Sequence, residues 1–226
     1  LAATHMGHGG VWAIGGFAAG LTSTVWKSAT ETEVYGYAFL LVALVATAAD
    51  IAGRRASVRH RGLLAFLFGL AVPLHLSALA VGPAAVVFAA TDASGSLSVR
   101  VALRVVAPWL LAIALGTGSR SVALLALAVG VAAVALPDSD SLGRRARELA
   151  TAAGLVALGV SAIAIMYVRS QHDPGVNQGN PSTWSTLWDV VWRRQYDVPP
   201  LWPRRAPLFL QLGNVAQYWD WQFASG

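Results

Sequence analysis

Six almost uncharged runs divide this chain, at residues 9–26, 34–49, 62–90, 101–118, 121–136 and 149–168. Most approach the ~20 residues that a helix needs to cross ~30 Å of hydrocarbon. Only 12% of the 226 residues are charged, against about 25% in a soluble domain. An all-α fold follows, a polytopic membrane helix bundle. Backbone polar groups in hydrocarbon must be satisfied within the helix itself.

The third run is the exception. Its 29 residues would rise roughly 43 Å as one helix, at ~1.5 Å per residue. Pro73 and the pair Gly82-Pro83 interrupt it. One reading is a kinked, tilted single pass; the other is a hairpin of two shorter helices. Loop arginines bear on the choice. Arg54, Arg55, Arg59 and Arg61 place the 51–62 loop in the cytoplasm, and Arg144, Arg145 and Arg147 ask the same of the 138–148 loop. Three single crossings between these loops would put them on opposite sides. A broken 62–90 segment puts both inside, and the charge pattern favours it. Six to seven membrane passes are expected, with the 27–33 loop and everything after residue 168 external.

Residues 1–168 thus form the expected transmembrane bundle, and 169–226 an external Trp-rich helical region. Six of the nine tryptophans follow position 183. Asn180 is placed to cap a helix that has Pro181 at its first position. Trp184, Trp188 and Trp192 then recur at i, i+4 and i+8 with Leu187 and Val191. Pro207 opens a second helix, with Phe209, Leu212, Val215 and Trp219 on one face. Tryptophan favours the membrane boundary, where its ring is apolar and its N–H finds a partner. Trp184, Trp188, Trp192 and Trp219 are therefore interface candidates. The same stripe also fits packing on the protein's own helix ends.

The chain has no cysteine, which removes disulfides and thiolate metal sites. The histidines share no ligand spacing, so neither a metal nor a cofactor is expected. No GxxxxGK, HExxH or GxSxG motif occurs. The formal charge of +5 comes from loop arginines rather than a basic face, and no nucleic-acid partner is expected. The first residues lack a basic n-region and a cleavage site. Because the chain begins at Leu1, it is expected to be a piece of a longer protein or a processed product.

Four residues are candidates on their chemistry. Glu31 and Glu33 precede the second run, where a carboxylate can act as a base or simply favour a helix start. His75 falls inside the longest apolar run. An ionisable group there is either functional or bonded to a carbonyl freed by Pro73. Arg169 closes the last run, where a guanidinium can hold a lipid phosphate or snorkel to the boundary.

Three segments in order carry a resemblance. The first is Trp26, Ala29 and Glu33-Val34-Tyr35. The second is Gly69-Leu70, His75 and Pro83. The third is Arg169-Ser170, Asp173-Pro174, Gly179-Asn180-Pro181-Ser182-Thr183 and Arg194-Gln195-Tyr196. Together they resemble a bacterial multi-spanning family defined only as a domain of unknown function. That family is related to transmembrane protein O-mannosyltransferases of the GT-C superfamily.

The resemblance implies a bacterial inner-membrane glycosyltransferase. It would move a sugar from a polyprenyl-phosphate donor to an acceptor on the outer face. Glu31, Glu33 and His75 would then be catalytic, and Arg169, Asp173, Asn180, Gln195 and Tyr196 would bind substrate. No acid precedes Glu31, so the family's acidic N-terminal portion is expected to be missing. The alternative is a non-catalytic membrane subunit that binds lipid or other membrane-protein subunits.

Overall fold

A computed structural model describes residues 15–18, 21–22, 25, 35–137, 140–177, 179–194 and 206–223. The chain divides into two compact units, Tyr37–Asp197 and a second made of Leu1–Gly36 with Val198–Gly226. The larger unit is a helix bundle; the smaller contains the helix Leu208–Phe223.

The bundle elements are α1 (Tyr35–Arg54), α2 (Val58–Leu74), a 3-10 segment (Leu76–Val81), α3 (Gly82–Ala90), α4 (Val99–Thr117), α5 (Arg120–Ala135), α6 (Leu142–Ser161), α7 (Ala164–Ser170) and α8 (Trp184–Val191). The helix of the smaller unit is α9. Hydroxyl residues in extended conformation start most of them. Ser57, Ser98, Ser119 and Ser141 each accept from a backbone N–H three residues on. Such a cap is worth ~1 kcal/mol, because the first turn otherwise leaves its donors unpaired.

The 62–90 run is a hairpin. Pro73 cannot donate to the helix ladder, and α2 ends at Leu74 with His75 extended. Pro83 then opens α3. The return is fixed by Gly53 near the end of α1, whose α-carbon lies against the carbonyls of Phe88 and Thr91. A side chain at 53 would collide with both, so only glycine fits. The loop 91–97 closes on one bridge between Thr91 and Leu97, and α4 and α5 form the next antiparallel pair.

Consequently the two arginine-rich loops share one end of the bundle, called here the arginine end. The C-termini of α2 and α4 meet at the other, the tryptophan end, where Leu76 packs over Gly116.

Between helices, small residues let backbones touch. Gly69 of α2 lies on the backbone of Val156, and Gly159 of α6 lies on Leu70 N and Phe66 O. Close approach of this kind replaces the missing hydrophobic drive where both solvent and side chains are apolar. Around it sit the fully buried Phe68, Leu64, Val45 and Val156.

Among the described residues, three helical stretches are long and apolar enough to cross a membrane: Tyr35–Arg54, Val99–Thr117 and Leu142–Ser170. Six to seven such passes are not supported. The hairpin divides one long run into a 17-residue helix with Arg59 and Arg61 in its first turn and a shorter apolar piece, Leu76–Ala90. Helix α5 has 16 residues, which rise only ~24 Å. The 9–26 run lies largely outside the described residues.

Candidate functional site

At the tryptophan end, α8 begins later than its sequence suggests. Asn180 is in a left-handed conformation, φ 38°, whereas a helix cap needs an extended one. Its side-chain oxygen instead accepts from Asn177 Nδ2 at 2.9 Å. Thr183 takes over as cap in a reciprocal box with Thr186.

The tryptophan stripe lies on one helix as expected, and most of it packs on the bundle. Leu187 is fully buried, and Trp188 lies against the core. Trp192 Nε1 donates to Leu115 O at 3.0 Å, capping a carbonyl in the last turn of α4. The Trp192 ring covers Gly118, where a β-carbon would stand 2.8 Å from it. That glycine has φ 66°, so the position demands glycine twice over. Trp188 and Trp192 stack at 5.4 Å, and the Arg194 guanidinium covers Trp192 at 4.8 Å while pairing with Asp189 at 2.7 Å. Trp184 stacks on Tyr167 at 4.8 Å and stays 58% exposed. Trp219 lies on α9, in the other unit.

The 171–183 loop is tied back to α7. Ser170 is buried and its hydroxyl lies 2.9 Å from Pro181 O. Gln171 Nε2 donates to Ser182 O at 2.9 Å. Arg169 is exposed and donates through Nη2 to Val176 O at 3.1 Å. Asp173 is exposed in the same loop, with φ 45°. His75 occupies the turning point of the 62–90 hairpin, half-buried, with Nδ1 2.5 Å from Ser77 Oγ. It therefore lies at an end of the bundle rather than midway along a span. Glu31, Glu33, Gln195 and Tyr196 lie outside the described residues. No group of three or more His, Cys, Asp or Glu suited to a metal occurs among the described residues.

Sequence reasoning missed the opposite end. Arg61 Nε meets Glu148 Oε1 at 2.6 Å, and both side chains are about nine-tenths buried, at 10% and 11% exposed. Arg104, only 5% exposed, reaches Glu148 Oε2 and Asp140 Oδ2, each at 3.4 Å. Asp140 also takes Arg144 at 2.9 Å. Arg145 is buried and donates to Leu136 O. A cavity of about 280 Å³ opens over this network, lined by Arg61, Arg104, Arg144, Arg147 and Glu148 among others. The partners come from α2, α4 and the start of α6, so no local spacing could join them.

Residues 2–98 match the family model described as Protein O-mannosyl-transferase TMEM260 N-terminal domain. The matched stretch runs from the chain start through α1, α2 and α3 into the loop before α4. The likeness supports a relation to protein O-mannosyltransferases. No curated protein and no solved structure matches the chain.

Proposed function

We propose that this chain is a membrane glycosyltransferase of the protein O-mannosyltransferase kind, or part of one, with a GT-C-like fold. It takes a sugar from a polyprenyl-phosphate donor and delivers it to an acceptor at the outer face of a bacterial inner membrane. The observation that carries this reading is the match over residues 2–98, which spans Glu31, Glu33 and His75. The helical bundle agrees with a donor that resides in lipid. In this reading the arginine end is cytoplasmic, and the tryptophan end with the C-terminal region is external.

The roles divide by chemistry. Glu31 or Glu33 takes the proton from the acceptor hydroxyl as it attacks the sugar carbon, and the polyprenyl phosphate leaves. His75 shapes the site at the hairpin turn. Arg169, exposed beside a loop that holds Asp173 and Asn180, meets the departing phosphate, since guanidinium matches phosphate oxygens in pairs. Gln195 and Tyr196 complete the donor contacts.

Donor binding tests the proposal. If the bound donor takes the Arg169 guanidinium out of water, Arg169→Ala is expected to weaken polyprenyl-phosphate-sugar binding by about 2–4 kcal/mol, with Arg169→Lys retaining part of it. Unchanged binding in Arg169→Ala would remove the phosphate role.

A further inference from the structure

We propose that the arginine end holds an anionic phospholipid, with its phosphate in the Arg61–Arg104–Arg144–Arg147 cavity and an acyl chain in the apolar groove beside it. The site is separate from the sugar-donor site proposed at the tryptophan end, and it stands or falls independently of that reading.

The groove, about 490 Å³, runs along the side of the bundle between α4, α5 and α6. Small residues open it: Ala107, Pro108, Ala126 and Gly130 line it, with Leu127 and Val131 along its rim. Its size falls in the ~300–1,000 Å³ range of ligand sites. Every lining residue is apolar, so an alkyl chain loses nothing by entering. Leu127 and Val131 are 64% and 59% exposed, which leaves the groove open on its lateral face, where lipid would lie.

The cavity and the groove are contiguous. Leu149 lines both. Along α6, Arg144, Glu148 and Thr151 face the cavity at spacings of four and three. Leu142, Leu149 and Ala153 face the groove at spacings of seven and four. These are neighbouring stripes of one helix, so a charged head and an apolar tail are received side by side.

Charge supplies the identity of the head. Four arginines against Glu148 and Asp140 leave +4 − 2 = +2 at the cavity. Arginines that only snorkel would extend into water, but Arg61 and Arg104 turn inward and are fixed by Glu148. Arg144 is 66% exposed and Arg147 is exposed at the rim, placed to close on a phosphate. Basic pockets between spanning helices bind anionic headgroups in this manner.

The test is lipid binding by the purified full chain in detergent, followed by native mass spectrometry and thermal shift. The probes are phosphatidylglycerol, phosphatidylcholine, a polyprenyl phosphate and inorganic phosphate. Phosphatidylglycerol is expected to bind at least ~10-fold more tightly than phosphatidylcholine. Arg144→Ala/Arg147→Ala should weaken it roughly thirtyfold, from about fivefold for each surface arginine. Ala135→Trp, which fills the groove at its exposed end beside the cavity, should weaken it with both arginines intact. Equal binding of the two phospholipids would overturn the proposal. So would stabilisation by inorganic phosphate alone, preferential binding of polyprenyl phosphate, or parent-like binding by the double variant.

Discussion

Arg61 and Glu148 are 87 residues apart in sequence and 2.6 Å apart in space, both nearly buried. Their pairing ties the start of α2 to the start of α6. Arg104, on Glu148's other oxygen, adds α4. One carboxylate thus holds three helices together at the arginine end.

Removing that carboxylate takes the buried Arg61 guanidinium's partner away and leaves Arg104 with Asp140 alone of its two carboxylates. Glu148→Ala is expected to destabilise the bundle by about 3–5 kcal/mol, because an uncompensated buried charge costs more than the pair contributes. The exposed Asp189–Arg194 pair is the control; Asp189→Ala should cost less than ~1 kcal/mol. Thermal unfolding in detergent compares the two, and equal losses would show the buried network to be incidental.

Trp192 joins packing to capping. Trp192→Phe keeps much of the ring but frees the Leu115 carbonyl, and a loss of ~1–3 kcal/mol is expected. Trp192→Ala also uncovers Gly118 and should cost ~3–5 kcal/mol. A Trp192→Phe variant as stable as the parent would mean that the hydrogen bond contributes nothing, and equal losses in the two variants would mean that the ring packing on Gly118 adds nothing beyond it.

The shared end of the two arginine loops has a direct consequence for topology. The chain lacks cysteine, so single cysteines can be placed at Val58, Gly143 and Ser185, each exposed. Impermeant thiol reagents on intact cells should leave 58 and 143 protected alike and label 185. Opposite labelling of 58 and 143 would contradict the bundle described here.

Asp92 ties the 91–97 loop together and makes it the place where a response to acid is expected. Asp92 is held below its usual 3.8, first by the Ser94 hydroxyl and then by the backbone N–H groups of Ser96 and Ser94. A lowered folded-state pKa gives stability that is full above the unfolded value and lost as pH falls through the folded one. Amide exchange at Ser96 should therefore stay slow at pH 3.8 and quicken only below it. In Asp92→Asn this acid-dependent change should disappear.

The helical bundle was legible from run length, and the 62–90 hairpin from Pro73, Gly82-Pro83 and the arginine count. The number of passes was not: the 121–136 run gains no further turn in α5, which keeps 16 residues, and α2 takes Arg59 and Arg61 into its first turn. The α8 stripe was read correctly as a helix face. Its start was misplaced, since the left-handed turn at Asn180 depends on contacts with Asn177. The arginine network was hidden because its members pair across three helices. Arg61 and Arg144 lie in stretches that read as loops in the sequence, where arginine carries an orientation signal that masks an inward role, whereas Arg104 lies within the 101–118 run.

Sugar transfer tests the functional reading most directly. Membranes containing the native protein would be given polyprenyl-phosphate mannose labelled in the sugar, together with a polypeptide acceptor. The account predicts label on the acceptor, with donor binding retained and transfer strongly reduced in Glu33→Gln. Donor bound without any transfer to acceptor would contradict it and would favour a non-catalytic subunit.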